Sequence, residues 1–252
     1  MPITDHDIRA LEKHLLRGWP PARLVCVQGW RCGLDRGVTR RPNSVWPLAW
    51  EGEGRVAEAI AEVEALYGGA GLRPCFKMTR AAQPATLDDA LAARGYTVEG
   101  SSHVLVAAAV KTLAPPDSRV EIVLLERPSD AWLACYWAER ASAAERKALG
   151  GLIGRIAVPH VFSAALVEGG VASVALAVAS DGLAQISAVR TDPALRRRGL
   201  AAAVMAALVG WARAAGAERL ALQVEAGNVP ALALYRKAGF RRVYDYRYFA
   251  KP

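Results

Sequence analysis

Cysteine is scarce in this sequence. Four residues in 252 (Cys26, Cys32, Cys75, Cys135) form no Cys-x-x-Cys pair and have no His-x-x-x-His partner nearby. A disulfide scaffold is excluded and no metal site is expected; the thiols read as reduced and mostly buried. Long apolar runs are missing as well. The longest uncharged stretch, Gly199 to Ala212, has 14 residues and is rich in alanine, whereas a bilayer-spanning helix needs about 20. The start, Met1-Pro2-Ile3-Thr4-Asp5-His6-Asp7, carries acids and no apolar core, so it does not read as a signal peptide. The expectation is a cytoplasmic protein with no membrane partner. Acids are outnumbered, 24 against 32 Lys and Arg, a net +8, of which +2 falls up to residue 115 and +6 after it. That surplus points to an anionic ligand without telling nucleotide from nucleic acid or lipid. The rest is ordinary for a folded chain, 53% hydrophobic and 22% charged, which excludes disorder and leaves room for one large or two small domains.

Periodicity sets out the elements. Thr4–Arg17 reads as a helix with Thr4-Asp5 as cap candidates, followed by strands at Ala22–Val27 and Ser44–Leu48. A helix over Gly54–Tyr67 is closed by Gly68-Gly69, and Pro74–Met78 is a strand. Thr86–Arg94 is a helix capped by Thr86, and Tyr96–Val110 is a strand. Ala114-Pro115-Pro116-Asp117 reads as a linker, because consecutive prolines suit neither helix nor central strand. The pattern then restarts. Val120–Leu125 is a strand, Ser129–Trp137 and Ser142–Ile156 are helical, and Val161–Val167 and Val171–Ala179 form a hairpin over Glu168-Gly169-Gly170. Ala184–Arg190 is a third antiparallel run. Helix Leu200–Ala215, strand Leu220–Val224, helix Val229–Ala238 and strand Arg242–Phe249 complete a mixed α/β (α+β) layered fold. Arg94-Gly95-Tyr96 and Ala238-Gly239-Phe240 close equivalent helices 144 residues apart. This suggests an internal duplication, with two unrelated α/β modules as the alternative.

The segment that carries chemistry is Val189-Arg190-Thr191-Asp192-Pro193-Ala194-Leu195-Arg196-Arg197-Arg198-Gly199-Leu200-Ala201, between a strand and the long helix. A helix start leaves N–H groups unpaired and carries partial positive charge. Gly199 permits close approach, small Ala201 keeps the mouth open, and three arginines add attraction, which together suit a diphosphate. A solvated basic cap is the bland alternative, although first turns ordinarily favour acids. Arg196-x-x-Gly199-x-Ala201 resembles the acetyl-CoA signature of the GNAT superfamily of N-acetyltransferases. A second block is more specific: Leu222-Gln-Val224-Glu-Ala-Gly-Asn228-Val-Pro-Ala231-Leu-Ala-Leu234-Tyr235-Arg-Lys-Ala-Gly239-Phe240 is similar to the family's strand–Asn–helix–Tyr–Gly-Phe block at every spacing. The resemblance covers about residues 119–250.

The resemblance implies residue roles, with acetyl-CoA as acyl donor and an amine-bearing small molecule, peptide or protein as acceptor. Main-chain groups of Val189, Arg190 and Thr191 would pair with pantetheine and polarise the thioester. The turn Arg196–Arg197–Arg198–Gly199–Leu200–Ala201 would hold the pyrophosphate and Asn228 the cofactor arm, and Tyr235 would protonate the departing thiolate. Each has a structural alternative: Asn228 as N-cap, Tyr235 as a packing residue, Gly239 as C-cap and Phe240 as core. Glu225 is the first candidate for general base, with a solvated surface acid as its alternative. Gln185 and Ser187 alternate on the strand leading to the loop and suit the acceptor side, though neither is a base. His160 reads as structural, and Gly150–Gly154 is not a dinucleotide loop because no strand precedes it.

In the first half the same offset puts Pro84 where Asn228 stands and Leu91 where Tyr235 stands, and the loop Trp50-Glu51-Gly52-Glu53-Gly54 would repel a diphosphate. The expectation is a tandem GNAT-like fold, with residues 1–113 a degenerate half and 118–252 a complete catalytic domain. Asn43 and Ser44, in a polar-then-aromatic segment, are the candidates for a substrate-facing role in the first half. Two other function classes stay open, an acyl-CoA-binding sensor without turnover and nucleic-acid binding through Arg196 to Arg198. The second is disfavoured because the arginines cluster at one helix start instead of spreading along a face. Oligomeric state is open, a homodimer included.

Overall fold

The computed structural model describes residues 3–108, 120–137 and 142–251; the expected linker Ala114–Asp117 lies outside them. The chain divides into two compact units, one of Met1–His103, Lys147–Ile156 and Val243–Pro252, the other of Val104–Arg146 and Ala157–Arg242. Strand β5 (Thr97–Ala107) runs through the division.

The first unit opens with α1 (Asp5–Arg17). Thr4 accepts from the Asp7 N–H and the Asp7 carboxylate reaches back to Thr4 N–H, a complete capping box. Strands β1 (Arg23–Val27), β2 (Trp30–Leu34) and β3 (Val45–Trp46) pair antiparallel. The sequence reading missed β2, although Trp30, Cys32 and Leu34 alternate with Arg31 and Gly33 and all three join the core. Its turn, Gln28-Gly29, has φ of 48° and 86°, the two left-handed residues of a tight hairpin, but with Gln where Asn or Asp gives the usual signal. Helix α2 (Val56–Gly69) starts two residues later than the pattern suggested, since Gly54 is left-handed at φ 91°. It also runs through the glycine pair to a cap at Ala70. Strand β4 (Cys75–Thr79) lies parallel to β3, and α3 (Leu87–Ala93) follows; Thr86 occupies its N-cap without making a side-chain cap bond. The last strand, β11 (Arg241–Ala250), pairs antiparallel with β4. Ile60, Val63 and Tyr67 of α2 bury against Trp30, Phe76 and Leu91.

The second unit repeats the scheme. Strands β6 (Val120–Leu125), β7 (His160–Val167), β8 (Gly170–Ser180) and β9 (Leu183–Thr191) run antiparallel in sequence. Helix α4 (Asp130–Trp137) packs on β8 and β9. Helix α5 (Ala143–Ile153) follows α4 in the chain but from Lys147 on belongs to the first unit, and it takes in most of the Gly150–Gly154 run. Long helix α6 (Leu200–Ala214) leads to β10 (Arg219–Glu225), parallel to β9, and then to α7 (Val229–Lys237). Antiparallel strands, a helix, a parallel strand and a helix therefore occur twice, and α2 and α6 begin 144 residues apart. Among the described residues no helix is long and apolar enough to cross a membrane.

The first unit contains a feature that sequence patterning hid. Lys77 Nζ lies 2.6 Å from Glu12 Oε2, with both side chains almost wholly buried; Tyr244 donates to Glu12 Oε1 at 2.8 Å, and the ammonium sits 4.0 Å from the Tyr246 ring centre. Burial, then the Glu12 charge, push the Tyr244 hydroxyl well above its usual range, so it stays a donor. Removing one partner leaves a desolvated charge. Lys77→Met is expected to destabilise the unit by about 3–5 kcal/mol, and Glu12→Leu combined with Lys77→Met to recover most of the loss. Urea unfolding measures both, and a single-variant cost under about 1 kcal/mol would show that the pair is dispensable.

A second prediction concerns acid. Burial works against ionisation of Glu64, but hydrogen bonds from Arg94 and Lys251 prevail and hold its carboxyl at about 2. Since the folded value is lowered, this contribution is complete above the ordinary carboxylate value and fades as pH falls toward 2. Stability to urea should drop between pH 5 and pH 3, and Glu64→Gln should flatten part of that slope.

Candidate active site

β9 and β10 are adjacent and parallel, so their C-terminal ends lie at one edge of the sheet. Their ladder runs only from Leu183↔Arg219 to Ile186↔Leu222, although the strands continue to Thr191 and Glu225. A gap therefore opens between them. Its cause lies in β9, where Ala188 has φ 55° and the register against β8 shifts, with Leu176 opposite Ser187 but Val174 opposite Arg190. This is a bulge, one extra residue that bends the strand. The bulge coincides with a break in the alternation of Gln185-Ile186-Ser187, where two apolar residues, Ala188 and Val189, follow one another before Arg190.

Above the gap, Asp192 caps a short 3₁₀ turn at Pro193–Leu195 by accepting from the Ala194 N–H. The chain then passes through Arg197 (φ 65°) and Gly199 (φ 79°) into α6. Gly199 is the N-cap and provides no side-chain bond, and the first closing bond runs from Ala203 N–H to Gly199 O. The amides of Leu200, Ala201 and Ala202 thus start a helix with no capping oxygen, the arrangement that binds anions. Arg196, Arg197 and Arg198 are exposed and make no ion pair among the described residues. A Cβ built at Gly199 would meet no heavy atom within 4 Å. Its cradle faces open space.

Of the other site candidates, Val189 is packed against the α6 side of the sheet, and Thr191 Oγ1 lies 2.9 Å from Ser173 Oγ. Asn228 caps α7 with Oδ1 on the Ala231 N–H (3.2 Å), and the residue is exposed. Glu225 is exposed at the end of β10, two residues beyond Gln223 on the face away from α6. Tyr235 lies on the buried stripe of α7, 7% exposed, with its ring 6.0 Å from that of Phe240. The structure thus brings together the ends of β9 and β10, the arginine turn, the α6 start and the α7 cap, with Tyr235 two turns along α7.

Several other residues are structural. His160 Nδ1 bonds the Val158 carbonyl at 2.8 Å, and its ring stands edge-on to Phe162. Asn43 Oδ1 accepts from the Asp35 and Gly37 amides, its Nδ2 donates to Thr39, and Ser44 donates to the Arg40 carbonyl. Both are buried and hold their own loop. In the first unit, Glu53 (φ 47°) sits 144 residues before Arg197, with the same left-handed backbone and the opposite charge.

A family described as "Probable histone acetyltransferase Rv0428c C-terminal" matches residues 5–249. The chain belongs to that family. This GNAT acyltransferase is also 28% identical over 248 residues to the "Uncharacterized N-acetyltransferase YobR" of Bacillus subtilis (strain 168), covering 97% of this chain and 99% of that protein. A mycothiol acetyltransferase of Clavibacter michiganensis subsp. michiganensis (strain NCPPB 382) is 36% identical over 120 residues, 45% of this chain and 39% of that protein. In fold, the GNAT acyltransferase is similar to a GCN5-related N-acetyltransferase from Kribbella flavida (TM-score 0.70, 19% identity, covering 100% and 96% of the two chains). It is similar too to a tandem GNAT protein from the clavulanic acid biosynthesis pathway (TM-score 0.68, 11% identity, 99% and 89%).

Proposed function

We propose that this GNAT N-acetyltransferase takes its acetyl group from acetyl-CoA and transfers it directly to an amine of a small molecule, peptide or protein. One observation carries the donor assignment: the uncapped start of α6, with an open cradle at Gly199 and three exposed arginines, lies directly above the gap between β9 and β10. When bound, acetyl-CoA supplies an activated thioester carbonyl. The amides of Arg197 to Ala201 hold the diphosphate. Main-chain N–H groups within Val189 to Thr191, beyond the end of the β9–β10 ladder, polarise the carbonyl. Asn228 already spends its oxygen on the α7 cap, so its amide nitrogen serves the cofactor arm. The amine nitrogen forms the new N–C bond as the C–S bond breaks; the Tyr235 hydroxyl gives its proton to the thiolate, and the proton leaving the amine passes to Glu225 directly or through water. No covalent enzyme intermediate is needed.

Residues 118–252 hold this machinery in the proposal, and residues 1–113 form a catalytically silent copy, with Pro84, Leu91 and Glu53 in place of Asn228, Tyr235 and Arg197. The activity belongs in the cytoplasm under this reading. Calorimetry with acetyl-CoA, CoA and duplex DNA, followed by thiol release across an amine library, tests the whole. Tight CoA binding with turnover supports it. CoA binding without turnover of any amine indicates a sensor, and DNA binding in place of CoA overturns the donor assignment.

A further inference from the structure

The β9 bulge decides which way Arg190 faces. Val178, Leu176 and Val174 follow one another at two-residue steps on β8, so they share a face, and they stand opposite Gln185, Ser187 and Arg190. Residues opposite each other in an antiparallel ladder share a face. Without the bulge, Ser187 and Arg190 would point to opposite sides. With it, all three lie on the face that α4 covers, while Ala184, Ile186 and Val189 turn to α6. The position of α4 is fixed by the Trp132 ring against Phe162 and by Trp132 Nε1 donating to Ser163 O at 3.0 Å. At the end of β9, burial and then the neighbouring Asp192 carboxylate push the Cys135 thiol of α4 up, with the Arg190 charge opposing.

These three side chains share an unusual property. Gln185 Oε1, Ser187 Oγ and Arg190 Nε are each shut from water and have no hydrogen-bond partner among the described residues, and Gln185 and Ser187 are 1% and 8% exposed. Buried polar atoms normally have partners, and each orphan is costly. Arg190 has no carboxylate partner among the described residues; Asp192 is close enough to influence Cys135 but spends Oδ1 on the Ala194 N–H. The unmet needs are ordered along the strand, with an acceptor at Gln185, a hydroxyl at Ser187 and a guanidinium at Arg190 nearest the arginine turn. Successive pairs lie about 7 Å apart. Such a row complements a molecule with N–H groups at one end and an anion at the other.

We propose that the acceptor is a carboxylate-bearing primary amine, its carboxylate held by Arg190 and its N–H groups directed to Gln185 and Ser187 from the α4 face of β9. This rests on the donor assignment above, which delivers the thioester where β9 and β10 part. Arg190 then has two functions, main-chain toward the donor and side-chain toward the acceptor. The row also disfavours polycationic acceptors, because their nearest groups would meet Arg190 and the arginine turn.

The test compares matched acceptors by thiol release from acetyl-CoA. One arm sets free amino acids against their decarboxylated amines, a second sets short acidic peptides against their fully amidated forms, and a third uses a polylysine peptide. Wild type should favour the carboxylate in one of the first two arms by about 10- to 100-fold in kcat/KM, the range for a charge-assisted hydrogen bond. Arg190→Gln should erase that preference, so that the two members of each pair react at rates within about twofold, and Arg190→Lys should restore part of it. Equal rates within pairs, preference for polylysine, a preference that survives Arg190→Gln, or no turnover in any arm by protein that binds acetyl-CoA would each overturn the proposal. If Arg190→Gln fails to fold, the wild-type pairs decide alone. Loss of acetyl-CoA binding in wild type would overturn the donor assignment instead, a distinguishable result.

Discussion

Gly199→Glu is expected to abolish measurable acetyl-CoA binding while leaving the second unit folded. A Cβ at residue 199 meets nothing within 4 Å, so no clash opposes the side chain; the backbone at φ 79° adds a strain of about 1–2 kcal/mol. The larger effect is electrostatic. The new carboxylate would stand at an uncapped helix start, where the amides of Leu200 and Ala201 would bind it as they would a phosphate. It would occupy the anion site and repel the diphosphate, at about 4 kcal/mol for unit charges 4 Å apart near a protein surface. That is roughly a thousandfold in affinity. Gly199→Ala is the control, since it carries the same backbone strain without the charge and should keep most of the affinity at some cost in melting temperature. Calorimetry with acetyl-CoA reads both. Affinity retained by Gly199→Glu would show that the turn is not the diphosphate site.

The elements around the candidate donor turn were legible because their pattern is local. An arginine turn before a long apolar helix, and an Asn at the start of the next, are each contiguous in sequence, and the structure has α6 start at Gly199 and α7 capped by Asn228. Two of the tight hairpins were legible for the same reason, since Glu168-Gly169 and Asp181-Gly182 advertise left-handed turns. What escaped depends on pairings that sequence alone does not fix. Ala188 and Val189 break the alternation of β9, but only the register against β8 shows that the break is a bulge and that Arg190 faces with Ser187. The Glu12–Lys77 pair joins residues 65 apart, and Lys77 sits mid-strand, where alternation alone would assign it to solvent. The membership of β11 in the first unit was equally hidden, because its partner β4 is more than 160 residues away.

The two units also show what the shared scheme leaves free. Both build a parallel strand pair joined by a helix, and both place a left-handed residue before that helix, Glu53 in one and Arg197 in the other. The backbone turn is therefore a property of the fold, while the charge it presents is set by the side chain placed on it, Glu53 in one unit and Arg197 in the other.

Tyr235→Phe is expected to lower kcat by about 10²- to 10⁴-fold at unchanged acetyl-CoA affinity, the range for loss of a positioned general acid. The substitution isolates that function because the ring itself is kept. Tyr235 is packed with Ala231, Leu234, Ala238 and Phe240, and phenylalanine fills the same volume in the same edge-to-face contact. Melting temperature should shift by only a few degrees, while single-turnover transfer slows and added thiol-protonating buffer partly rescues it. A purely packing tyrosine would give the reverse pattern, with kcat held and stability altered. Leaving-group pKa gives a further readout: an acyl donor with a more acidic thiol needs less help in departing, so the variant should lose less rate with it than with acetyl-CoA. Equal losses with both donors would assign Tyr235 to the core and leave the thiolate to be protonated by water.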